Sequence, residues 1–182
     1  MEQRRRELLC LAITLSLAFL FPLGLWFGAR IWLHTDYPFH YVEGHSMEPT
    51  LFEGDLLVVE GISGRADEIR VGENGDIIVF RQPAPFTGKE ILIPHRAVHK
   101  EYMGDGWYFK TRGDNNPSPD PWYVSEDRIV GKVVYRLPYI GYVPLVLGPV
   151  LKTTWGQIAV IGLIIFLAVW SIYDVLAPPS TR

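Results

Sequence analysis

EGDLLVV at residues 53–59 and NGDIIVF at residues 74–80 are two versions of one device, a Gly-Asp turn feeding an apolar run. Glycine and aspartate punctuate a chain, and runs of Val, Ile and Leu suit a pleated, half-buried surface, so each reads as a turn followed by a strand. Further strands are expected at 39–43, 91–102, 106–111 and 128–136, and nothing between them keeps helical periodicity over three turns. The spacing therefore predicts a mostly β fold, a small antiparallel domain over residues 34–136.

On both sides of this domain the chain turns apolar. Residues 8–29 (LLCLAITLSLAFLFPLGLWFGA) and 153–173 (TTWGQIAVIGLIIFLAVWSIY) contain no charged side chain. Roughly 20 residues at ~1.5 Å rise cross the ~30 Å hydrocarbon layer, so each run is expected to be a transmembrane helix. The first also has the basic start of a secretory leader, but it outruns the usual apolar core of about 7–15 residues and lacks a small-x-small cleavage site, which favours an uncleaved anchor. Arg4, Arg5 and Arg6 before it, against a lone Arg30 after it, place the N-terminus in the cytoplasm.

The expected layout is a cytoplasmic N-terminus and first membrane helix at 1–33, an extracytoplasmic β-rich domain at 34–136, an apolar interfacial segment at 137–152, and a second membrane helix with a short cytoplasmic tail at 153–182. Pro138, Pro144 and Pro149 argue against one regular helix through the interfacial segment.

With 182 residues, 17 Lys+Arg and 20 Asp+Glu, the chain carries a formal net charge of −3, and residues 34–136 hold 11 Lys/Arg against 17 Asp/Glu. An acidic domain without a basic cluster argues against nucleic acid as a partner, because phosphate binding depends on concentrated Lys and Arg. The single cysteine, Cys10, excludes a disulfide framework and a multi-cysteine zinc site. His34, His40 and His45 lie near Asp36, but their spacing matches no zinc pattern.

Candidate chemistry centres on Ser46 in YVEGHSMEPTLFEGD. Gly44 and Pro49 fix the backbone around it, and apolar Met47 sits beside it; Met47 and Pro49 are expected to contact substrate. A serine hydroxyl is weakly nucleophilic until a base accepts its proton. His95 and His99 in ILIPHRAVHKEY are the candidates, and on a strand the period of two places both on one face with Ala97, leaving the choice open. A carboxylate must then orient the imidazole, and KTRGDNNPSPDPW offers Asp114 and Asp120 in a loop too rich in Gly, Asn and Pro for regular structure. Turn capping is the commoner use of such aspartates.

SMEPTL around Ser46, GDIIVF at 75–80, PHRAV around His95 and GDNNPSPD at 113–120 together resemble the type I signal peptidase family in order and spacing, over roughly residues 40–135. Its bacterial form uses a lysine followed by arginine as base; His95-Arg96 is similar to the archaeal and endoplasmic-reticulum form. The resemblance selects His95 over His99, makes Ser46 the nucleophile and Asp120 the partner of His95, and gives Asp114 a supporting role. It implies a membrane-anchored serine endopeptidase that removes signal peptides from exported preproteins by acyl transfer, with small substrate residues before the cut and no metal or organic cofactor. The partners implied are preproteins and the lipid bilayer, with room for accessory membrane subunits. One departure stands out: many members carry a hydroxyl residue two positions before the nucleophile, a helper of the oxyanion hole, where this chain has Gly44. From Leu33 to Ser46 the chain reaches at most about 45 Å fully extended, which keeps the nucleophile near the expected membrane surface.

Overall fold

The computed structural model describes residues 2–84 and 88–176, so the end of the expected cytoplasmic tail, 177–182, lies outside the described residues. Two units divide the chain: Gly28–Leu145, and the segments on either side of it.

Within Gly28–Leu145 the described residues form a 7-stranded sheet: β1 (Phe39–Tyr41), β2 (Leu56–Glu60), β3 (Ile77–Pro83), β4 (Glu90–Tyr102), β5 (Trp107–Arg112), β6 (Val124–Ser125) and β7 (Ile129–Leu137). Its order is β1-β2-β7-β3-β4-β5-β6, and every neighbouring pair is antiparallel. β7, the last strand made, therefore fills the middle of the sheet. β6 is only two residues long and leaves no alternation for sequence reasoning to detect.

The two Gly-Asp devices precede their strands for a shared reason. Asp55 Oδ2 accepts the Phe52 backbone N–H at 2.9 Å, and Asp76 Oδ2 accepts that of Arg70 at 2.9 Å. Each carboxylate ties off a turn upstream, so β2 and β3 begin just after it. Gly54 is required twice over, since its φ is +82° and a β-carbon there would fall 2.2 Å from the Tyr142 ring.

β3 is buried on both faces, as a central strand must be. Ile78 and Phe80 join Ile62, Ile69, Ala97, Phe109 and Val124 in one apolar cluster, while Val79 joins Val42, Met47, Leu51, Leu57 and Val59 in another. Successive side chains on a strand point to opposite faces, so these clusters lie on opposite sides of β3. The loop between β1 and β2, which carries Ser46, supplies Met47 and Leu51 to the second.

Irregularities in the ladders decide where two side chains go. β7 inserts an extra residue against β2 and another against β3, with Val58 opposite Tyr135 but Val59 opposite Val133, and Val79 opposite Gly131 but Phe80 opposite Ile129. A similar slip in β4 pairs Ala97 with Thr111 but His99 with Lys110. That extra residue, Val98, breaks the period of two. His99 is consequently exposed while His95 and Ala97 are buried, which overturns the expectation that His95 and His99 share a face.

His40 on β1 is packed beside Tyr41, their rings 5.9 Å apart. Burial pulls its pKa down from 6.5 to about 4, with nearby Glu43 only partly opposing. A histidine held neutral in the fold is protonated first in the unfolded chain, so stability falls as pH drops from about 6.5 to about 4. The melting temperature of His40→Gln is expected to decline less over that window than that of the wild type. Equal slopes would remove His40 from this account.

The flanking unit is helical. α1 (Glu2–Trp32) contains Ile13–Trp32, which among the described residues is the one helix long and apolar enough to cross a membrane. The segment 137–151, expected not to be one regular helix, ends β7, turns through Tyr139 and forms α2 (Tyr142–Leu151). Pro144 falls in the first turn of α2, where an amide needs no intrahelical acceptor, whereas Pro149 lies inside the helix and withholds one amide from its ladder. α3 (Thr154–Leu176) follows.

Candidate active site

The loop from Glu43 to Gly54 leaves the edge strand β1 and returns as β2. Val42 N–H donates to Asp55 O at 2.9 Å and Gly54 N–H to Val42 O at 3.0 Å, closing its neck. Inside it, Glu48 N–H donates to His45 O at 3.3 Å across Ser46, and Leu51 N–H to Met47 O at 2.9 Å, forming a tight turn that carries Ser46. Met47, expected to face substrate, is only 1% exposed and packs beneath the turn with Leu51, fixing its height above the sheet. Pro49 is exposed on the rim.

The GDNN segment braces the same turn from outside. Asn115 donates its backbone N–H to Ser46 O at 2.8 Å and its side-chain Nδ2 to His45 O at 3.1 Å. The approach is so close that a β-carbon at Gly113 would fall 2.5 Å from the Ser46 carbonyl oxygen. Glycine is thus a steric requirement there.

His95 stands on β4 opposite Ile78 and edge-on to Phe80, with the ring centroids 6.4 Å apart. Its Nε2 lies 3.1 Å from Ser46 Oγ, and its Nδ1 lies 2.7 Å from Asp120 Oδ2. Asp120 is held in turn: Thr111 Oγ1 donates to Oδ2 at 2.6 Å, and the Asp120 backbone N–H donates to Thr111 O at 2.8 Å. The His95 and Asp120 side chains are 8% and 7% exposed. A carboxylate at Nδ1 fixes the proton on that nitrogen and leaves Nε2 as the acceptor facing the hydroxyl. Such a chain can remove the serine proton during attack and stabilise the imidazolium that results.

Asp114 engages Arg96 rather than His95. Arg96 donates from Nε at 2.7 Å and from Nη2 at 2.6 Å to its two oxygens, and from Nη1 to Gly75 O at 2.7 Å. Burial pushes the Asp114 carboxyl up, but hydrogen bonds from Arg96 and Thr50 outweigh it and hold the group below the usual carboxylate range. The bidentate pair thus ties the GDNN loop to β4 beside His95.

Thr111 and Asn115 escaped the sequence reading. Thr111 alternates with core Phe109 on β5, and a polar side chain at an inward position signals a buried partner. The histidines once grouped near Asp36 are not drawn together: His45 pairs with Glu48, and Asp36 pairs with Arg30. Among the described residues no three metal-capable side chains converge. Gly44 has φ +82°, a backbone that strains most side chains, so this turn suits the glycine that departs from the resembled pattern and not a hydroxyl residue.

A hydroxyl, imidazole and carboxylate aligned on an antiparallel sheet form the constellation that nucleophilic acyl transfer by serine requires. The family model described as Signal peptidase, peptidase S26 matches residues 12–104, which include Ser46 and His95. The signal peptidase complex catalytic subunit SEC11 of Colletotrichum graminicola is 33% identical over 175 residues, covering 91% of this chain and 94% of its own. That of Fusarium vanettenii is 32% identical with the same coverage, and SEC11C of Rattus norvegicus is 31% identical over 91% of this chain and 86% of its own. The chain belongs to the S26 signal peptidase family.

Proposed function

We propose that this protein removes signal peptides from preproteins with Ser46 as nucleophile, His95 as general base and Asp120 as the group that orients the imidazole. The observation that carries the reading is His95 bridging Ser46 and Asp120 at 3.1 and 2.7 Å in a chain of this family. Ser46 Oγ attacks the carbonyl that ends the signal segment, passing its proton to His95 Nε2. The imidazolium gives that proton to the departing amine, and water activated by the same nitrogen releases the acyl-enzyme.

In this reading Ile13–Trp32 anchors the enzyme in a membrane with its N-terminus in the cytoplasm, Thr154–Leu176 is a second span, and accessory subunits assemble around them. The relatives named as catalytic subunits of a complex support the last point. The test is incubation of the purified full-length protein with a preprotein, followed by mass analysis of the new N-terminus. A non-catalytic tether would leave the preprotein whole.

The two aspartates separate experimentally. Asp120→Asn presents a donor where His95 needs an acceptor, and the cleavage rate is expected to fall by a factor on the order of 10³–10⁴. Asp114→Asn weakens a brace and is expected to cost less in rate, with a lower melting temperature. The reverse order of rates would exchange their roles.

A further inference from the structure

The Ser46 turn is braced on one side by Asn115. Its far side, at Thr50, is held by a different group that the peptidase mechanism does not use. Arg136 on β7 stands opposite Leu57 in the ladder, and cross-strand partners share a face, so it lies on the side that the Ser46 turn covers. Its Nη1 donates to Thr50 O at 2.8 Å and lies 3.3 Å from Asp55 Oδ2. Asp55 is 2% exposed, whereas Arg136 is 37% exposed. A carboxylate so deeply buried needs a cation, and the same Asp55 oxygen already accepts the Phe52 N–H from the end of the turn. Thr50 is gripped from its other side as well, by Arg96 Nη2 at 3.4 Å from its Oγ1.

We propose that Arg136 is a positioning residue for the nucleophile: with Asp55 it clamps the Thr50 carbonyl and so sets where Ser46 stands relative to His95. This rests on the functional reading above. Asp55 alone can secure the Phe52 amide, but the Thr50 carbonyl takes its hydrogen bond from the guanidinium. Without that bond the segment between Met47 and Phe52 loses one of its tethers, and small displacements at a reacting centre cost rate rather than substrate affinity.

Two variants separate this role from simple charge compensation. Arg136→Ala leaves Asp55 buried and uncompensated, so it lowers both stability and rate. Asp55→Asn combined with Arg136→Ala removes the stranded charge while the amide oxygen still accepts from Phe52, so melting temperature recovers. The clamp requires that kcat stay down, on the order of tenfold or more, with KM within about twofold, measured on folded full-length protein with a fluorogenic peptide spanning a signal-peptide cleavage site. Arg136→Lys, which keeps a donor, should recover part of kcat. Hydrogen exchange supplies a readout independent of cleavage: the Leu51 amide, bonded to Met47 O, should exchange faster in the double variant than in the wild type. Wild-type kcat or unchanged Leu51 exchange in the double variant would overturn the clamp. Should the wild type leave the peptide whole, the peptidase reading falls, and the exchange measurement still decides the clamp.

Discussion

Ser46→Ala is expected to abolish preprotein processing while leaving the protein folded and in the membrane fraction. The alanine methyl occupies the site of Cβ and removes only Oγ, whose one described partner is His95 Nε2 at 3.1 Å. Met47 and Leu51 still anchor the turn from below and Asn115 from outside, so the loss is chemical rather than structural. Without a nucleophile there is no acyl-enzyme, and the rate is expected to fall by on the order of a thousandfold or more. The new N-terminus released by wild-type enzyme should be absent from the mass spectrum of the variant digest. Its persistence would refute the nucleophile assignment.

His95→Ala should lose a comparable factor, because in the proposed mechanism attack and departure of the amine both pass a proton through Nε2. Groups that act as one unit are strongly non-additive, so Ser46→Ala with His95→Ala should be no slower than Ser46→Ala. Two losses that multiply would mean that the residues act separately, whatever their distance. His99→Ala provides the contrast. Its exposed side chain, turned out by the extra residue at Val98, should be dispensable.

Much of the fold was legible because the β-domain follows local rules. The expected strands at 39–43, 91–102, 106–111 and 128–136 correspond to β1, β4, β5 and β7, with ends shifted by a few residues. Illegible were features set by partners far along the chain. Nothing local to PHRAVHKEY announces the slip at Val98, which arises in pairing with β5. Met47 reads as an apolar neighbour of the nucleophile, and only the cluster it enters with Val79 and Leu57 reveals it as an anchor. Between 137 and 151 three prolines counted against one regular helix, and the chain does break there, ending β7 and turning before α2, although Pro149 is carried inside that helix. In the site, residue types suggested the chemistry, resemblance chose His95 over His99, and the Arg96–Asp114 and Arg136–Asp55 pairs became visible only in three dimensions.

The placement of β7 between β2 and β3 has a consequence for the timing of biosynthesis. Ser46 hangs from the β1–β2 hairpin, whereas His95 and Asp120 belong to the later group from β3 to β6. The strand that joins these halves is the last of the seven to be synthesised, so a chain ending before residue 129 lacks the ladders that β7 makes with β2 and β3 and is left with the Asn115 and Arg96 hydrogen bonds and the Val79 cluster to hold the Ser46 turn beside β4. On the proposed reading, cutting power is therefore expected to reach its full level only after the closing strand has been threaded into place.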